Sequence, residues 1–284
     1  MHTTLITAEE LARHIDDPDW VVVDCRFDLA NPLAGREGYR IGHIRNAVYA
    51  DLERQLSGDK HAVDGTFRGR HPLPGREFLA EVMRELGISE HTQVVAYDAH
   101  GGMYAARLWW LLRWIGHPQV AVLDGGMAAW QALGLPMEST VREPHTGNLQ
   151  QKPSLVGAVT AADVLENIAT GARTVVDARA PDRFRGENET IDPVGGHIPG
   201  AKNRFFKDNL HADGRFKDAA ALRADFEKVV PDPKLAIMQC GSGVTACHNL
   251  LAMEVAGLHG AALYPGSWSE WSSDPARPIA TGAE

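Results

Sequence analysis

The chain has 284 residues, 44% of them hydrophobic and 23% charged, and a formal charge of −9. That excess of acid argues against a broad nucleic-acid-binding surface, and the apolar content is ample for more than one core. Three cysteines, Cys25, Cys240 and Cys247, do not make a secreted disulfide framework. Residues 1–7 lack a basic stretch followed by an apolar one, so no signal peptide is expected, and no apolar run is long enough to span a bilayer. A reducing cytoplasm is the expected compartment.

In chain order, Val21-Val22-Val23 reads as a strand, ending at Asp24-Cys25-Arg26. Gly42-His43-Ile44 follows. Residues 78–86 carry a helical apolar pattern closed by Gly87. Val94-Val95-Ala96-Tyr97 is a second strand, with Asp98 at its end, and Val120-Ala121-Val122-Leu123 a third, before the tight turn Asp124-Gly125-Gly126. Pro144, Gly147 and Pro153 then fall in a stretch without apolar period, read as a linker over 139–158. Strands alternating with helices predict an α/β domain with a mostly parallel sheet.

The second half repeats the first. Thr174-Val175-Val176-Asp177-Ala178-Arg179 echoes residues 21–26, Gly196-His197-Ile198 echoes Gly42-His43-Ile44, and Gly266-Ser267-Trp268 echoes Gly125-Gly126-Met127. The same order at a drifting offset indicates a duplicated domain. The expected domains are 1–138 and 159–284, each with its own core.

Leu235-Ala236-Ile237-Met238 reads as a buried strand, and residues 244–253 as a helix. Between them stands Cys240-Gly241-Ser242-Gly243. A strand end leading into a helix start gathers backbone N–H groups that have no helical partner, and favours an anion. The anion suited to that place is a thiolate, an attacking form of sulfur. The copy in the first half has Asp98 where Cys240 stands, and one extra residue in the loop that follows. An aspartate supplies no thiolate nucleophile, so the first half is expected to be a catalytically inactive copy.

These features together resemble the tandem-domain sulfurtransferases of the rhodanese superfamily, over nearly the whole chain. Cys240-Gly241-Ser242-Gly243-Val244-Thr245 is similar to the loop of the 3-mercaptopyruvate sulfurtransferase type; thiosulfate-using members typically carry basic side chains there. The resemblance implies two tandem rhodanese-like domains and sulfur transfer through a persulfide on Cys240. It implies a proton relay of Ser242, His71 and Asp51 at a site between the domains. Gly241, Gly243, Val244 and Thr245 would cradle the persulfide, and Arg183 would hold the donor carboxylate. The implied donor is 3-mercaptopyruvate or thiosulfate, and the implied acceptor a thiol, thioredoxin or cyanide. No cofactor, metal, nucleic acid or membrane is expected. Relatives carry a second arginine before Gly-His-Ile, whereas residues 187–194 contain none; Arg185 is the nearest substitute.

Competing readings are a thiosulfate:cyanide sulfurtransferase and a non-catalytic sulfur-carrier module. A cysteine phosphatase would need an arginine where this chain has Ala246. Cys25 and Cys247 read as packing residues, the recurring His43 and His197 as structural, and most tryptophans as core.

Overall fold

The computed structural model describes residues 1–283. Its contacts divide the chain into two compact units. The first comprises Met1–Gly58, Pro74–Leu155 and Leu210–Phe216; the second comprises Asp59–Leu73, Val156–Asn209 and the chain from Lys217 onward.

In the first unit a five-stranded sheet runs in the order Leu5–Ile6, Val120–Leu123, Gln93–Tyr97, Trp20–Asp24, Val48–Tyr49, every pair parallel. The central strand Gln93–Tyr97 is buried along its whole length, as a strand covered on both faces must be. Helix Ala105–Trp114 is buried from Ala105 to Leu112, so it is apolar around most of its circumference rather than along one stripe. Helix Arg76–Glu85 begins two residues before the predicted start. Its C-terminal turn is followed by Gly87 at φ +86°, a left-handed conformation that glycine adopts without steric cost.

The second unit repeats this arrangement. Its strands run Lys202–Asn203, Thr174–Asp177, Ala236–Gln239, Ala262–Leu263, Gly157–Ala158, again all parallel. Read from the opposite edge of the first sheet, the order of elements is the same. Helix Thr245–Val255 is buried from Ala246 to Met253.

One polar lock recurs in both units. Arg26 grips the buried Asp24 carboxylate and donates to the carbonyl of Gly42. Arg179 likewise grips buried Asp177 and donates to Gly196 O. His43 and His197 donate from Nδ1 to the carbonyls of Tyr39 and Phe184 and stack on those same rings. They are framework residues fixed by backbone, as their recurrence predicted. Trp109, Trp110, Trp130, Trp268 and Trp271 are fully buried. The indole N–H groups of Trp109, Trp130, Trp268 and Trp271 each reach a backbone carbonyl, which removes the cost of burying the donor.

The stretch read as a linker packs on the first unit as far as Leu155. Gly147 N donates to Arg84 O, and Lys152 N to Ile115 O. A side chain at Gly147 would overlap the Ile88 carbonyl. Gly157–Ala158, at the end of the same stretch, is the edge strand of the second sheet.

Candidate active site

Cys240 follows strand Ala236–Gln239 at its carboxyl end and is 1% exposed. In open parallel sheets that end is where ligands bind. Its main chain is anchored from below. Cys240 N donates to Ser267 Oγ, and Ser267 Oγ donates onward to Tyr264 O. Trp268 N donates to Cys240 O, and Ser269 N to Gly241 O, both at 2.9 Å. Ser267 holds φ +54°, a left-handed conformation unusual for a residue with a Cβ; the two bonds of its hydroxyl fix it there.

The carbonyls of Cys240 and Gly241 are thus committed to the helix Ser267–Trp271. The N–H groups of Gly241, Ser242, Val244 and Thr245 donate to no protein acceptor among the described residues. They line the entrance of helix Thr245–Val255, which is the anion-favouring arrangement expected of the sequence. Gly243 lies at φ +75°, where an added Cβ would overlap the carbonyl of Pro265. Only glycine closes this loop.

Residues 69–71 belong to the same compact unit as Cys240. Gly69, at φ +99°, lies against Gly266, and Arg70 N donates to Ser269 Oγ at 3.1 Å. This seats the next residue, His71. His71 Nδ1 lies 2.9 Å from Ser242 Oγ, and both side chains are buried. The pair predicted from the loop and the His-Pro segment is therefore brought together. Asp51 falls in the first unit. There its Oδ1 caps a turn by accepting from Glu53 N and Arg54 N, and its Oδ2 pairs with Arg36.

Arg183, on helix Pro181–Arg185, donates from Nε and Nη2 to Glu189 and from Nη2 to Asp192. Arg70 Nη1 is bonded to the other oxygen of Asp192. A Cβ built on Gly241 would lie 2.7 Å from Arg70 Nη2 and 3.8 and 3.9 Å from Arg183 Nη2 and Nη1. Two guanidiniums therefore face the residue after the cysteine. Burial pushes the Asp192 carboxyl up, while the Arg70 guanidinium draws it back. Burial also opposes the charge of Glu189, but the hydrogen bond from Arg183 and the N–H groups of Asp192 and Ile191 outweigh it and hold that carboxyl below its usual range.

Arg185 instead pairs with Glu187 on the surface. Arg70, Glu189 and Asp192 were not singled out from sequence. Their one visible signal is the pair of acids in a segment where a basic residue was sought.

The rhodanese-like domain model matches residues 7–133 and 160–274. This chain belongs to the rhodanese family. A probable 3-mercaptopyruvate sulfurtransferase of Pseudomonas aeruginosa is 45% identical, covering 98% of this chain and 98% of that protein. A putative thiosulfate sulfurtransferase, SseB, of Mycobacterium tuberculosis is 40% identical over 98% and 97% of the two chains. The crystal structure of SseA from Escherichia coli, a 3-mercaptopyruvate sulfotransferase by its description, superposes with a TM-score of 0.81. It is 33% identical and covers 94% of this chain and 100% of its own.

Of the two rhodanese-like copies, the first closes its loop differently. The Asp98 carboxylate is fully buried and accepts from the N–H groups of His100, Gly102, Tyr104 and Ala105 at 2.7 to 3.0 Å. It thus fills from within the cradle that the second copy leaves at Cys240. Cys25 and Cys247 are buried free thiols. Burial, with Asp24 and Asp98 nearby, pushes the Cys25 thiol well up, while Cys247 Sγ donates to Gly243 O. Both are packing residues. No helix among the described residues is long and apolar enough to cross a membrane.

Proposed function

We propose that this sulfurtransferase takes sulfur from 3-mercaptopyruvate, carries it as a persulfide on Cys240 and passes it to a thiol, thioredoxin or cyanide. In the first step the Cys240 thiolate attacks the donor's sulfur. The donor's C–S bond breaks, its electron pair passes to carbon as the pyruvate enolate, and a Cys240 S–S bond forms. The enolate then takes a proton and leaves as pyruvate. Ser242 delivers that proton and His71 replaces it, a two-residue relay of the kind in which an imidazole serves a hydroxyl. In the second step the acceptor attacks the outer sulfur, the S–S bond breaks, and the Cys240 thiolate returns.

The observation that carries this reading is the Ser242–His71 contact beside Cys240. Thiosulfate brings no carbon leaving group that needs protonation, whereas a keto-acid donor does. Charge points the same way. Arg70 and Arg183 are balanced by Asp192 and Glu189, which suits a monoanion better than the thiosulfate dianion. Three free thiols, all buried, suit a reducing compartment such as the cytoplasm.

The test is the intact mass of the protein after exposure to mercaptopyruvate without acceptor. The expected gain is one sulfur atom, absent in Cys240→Ser. Sulfur retained by that variant sinks the assignment. A turnover preference for thiosulfate over mercaptopyruvate would replace the donor.

A further inference from the structure

Tyr97 and Gln239 hold the same place in the two copies, since each lies opposite the locked aspartate of its sheet, Asp24 and Asp177. In the first copy the Tyr97 hydroxyl joins three elements. It donates to Asp24 Oδ2 at 2.7 Å and accepts from the N–H of Ile44 at 3.2 Å. The counterpart of Ile44 in the second copy is Ile198, which is fully buried and whose N–H has no protein acceptor among the described residues. Gln239 is buried as deeply, and neither Oε1 nor Nε2 of its carboxamide meets a protein partner. Among the described residues, Asp177 Oδ2 accepts from Arg179 alone, whereas Asp24 Oδ2 accepts from Arg26 and from Tyr97. Buried main-chain and amide groups left unpaired are rare and costly.

The neighbouring strand shows how the space is shared. Tyr97 and Leu123 follow the paired residues Ala96 and Val122 in the first sheet; Gln239 and Tyr264 follow Met238 and Leu263 in the second. The aromatic ring has moved one strand over, and the Tyr264 hydroxyl faces the carboxyl of Glu270. Glutamine is smaller than leucine and ends short of where a tyrosine hydroxyl would be, so the second pair leaves space that the first fills. By equivalence with the first copy, two donors face that space, Ile198 N–H and Gln239 Nε2. Two acceptors face it as well, Asp177 Oδ2 and Gln239 Oε1. The carboxylate repels an anion, and the N–H groups repel a metal cation. The small neutral species that matches two donors and two acceptors is water.

We propose that one buried water molecule takes the place of the Tyr97 hydroxyl oxygen in the second copy, held by Ile198, Gln239 and Asp177. It joins the Gly-His-Ile turn and strand Thr174–Asp177 to the strand whose next residue is Cys240. Gln239 and the water thus do together what a single tyrosine does in the aspartate copy. The proposal is independent of the sulfur donor, since none of these groups is assigned to the transfer.

The experiment is a high-resolution crystal structure of the full chain, with urea unfolding of the parent protein and two variants. One is Gln239→Leu. The other combines Gln239→Tyr with Tyr264→Leu and so transplants the first copy's pair. The crystal should show one ordered water within hydrogen-bond distance of Ile198 N, Asp177 Oδ2 and the Gln239 carboxamide. Gln239→Leu should shift the urea midpoint down, because the water loses two of its four partners. The double variant should lose the water, set its new hydroxyl against Ile198 N and Asp177 Oδ2, and have a higher midpoint than Gln239→Leu. A Gln239 carboxamide bonded directly to Ile198 N, or no density between these groups, would overturn the proposal. So would a parent-like midpoint in Gln239→Leu, or a double variant that retains the water. Should neither variant fold, the crystal structure of the parent decides alone.

Discussion

Ser242 Oγ lies 2.9 Å from His71 Nδ1, although 171 positions separate the two residues in sequence. A proton can pass along that contact only if both groups are present. Ser242→Ala and His71→Gln should each slow pyruvate release by about 10²- to 10⁴-fold, the usual range for a lost general acid. The double variant should be little worse than either single one, because the two act as a unit. Burst measurement of pyruvate under single turnover checks this. Fully multiplicative losses would show that they act separately.

Gly243 should tolerate no side chain. Alanine there would hold a left-handed backbone and meet the Pro265 carbonyl. The expected outcome for Gly243→Ala is a destabilisation of about 1–3 kcal/mol together with loss of sulfur loading, because the N–H groups on either side move with it. Urea unfolding and intact mass measure the two effects.

Asp98→Ala should strip a buried carboxylate from the N–H groups it satisfies. Each buried donor left without an acceptor costs about 1–3 kcal/mol, so the variant should lose about 3 kcal/mol or more by urea unfolding. Its unfolding midpoint should recover in part on adding a small anion such as sulfate, which can enter the vacated cradle. Sulfur loading of Cys240 should persist in the molecules that remain folded.

His117 gives a pH dependence with a definite sign. It is buried, with Nε2 donating to Thr92 O at 2.9 Å, and burial pulls its pKa below the ordinary 6.5. Below that value the unfolded chain takes up a proton that the folded chain does not. Its contribution to stability is therefore present above about pH 6.5 and is lost as the pH falls toward the lowered folded value. Unfolding free energies measured between pH 7.5 and 5 should show a positive slope that diminishes in His117→Gln.

Much of this architecture was legible because the signal is local. The runs Val21-Val22-Val23 and Thr174-Val175-Val176, each ending in aspartate, announce the same strand twice, and the replacement of Cys240 by Asp98 is visible in the aligned copies. Cys240 could be placed at a strand end since a buried apolar run and a helix start flank it directly. The edge strands Leu5–Ile6, Gly157–Ala158 and Lys202–Asn203 were not legible, because two residues carry no period. Nor was the cluster of Arg70, Asp192 and Arg183. Arg70 and Asp192 are 122 positions apart, and a charge pair of that separation leaves no mark on composition or spacing. The same holds for the inclusion of Asp59–Leu73 in the second unit.

The carboxylate of Asp98 is bonded to its own loop, whereas the N–H groups of Gly241, Ser242, Val244 and Thr245 meet no such internal anion among the described residues. The first loop therefore carries its counter-charge within the fold, while the second leaves its donors for a group from outside. The aspartate copy is finished once its chain has folded; on the proposed chemistry, the cysteine copy is finished only when its cargo arrives.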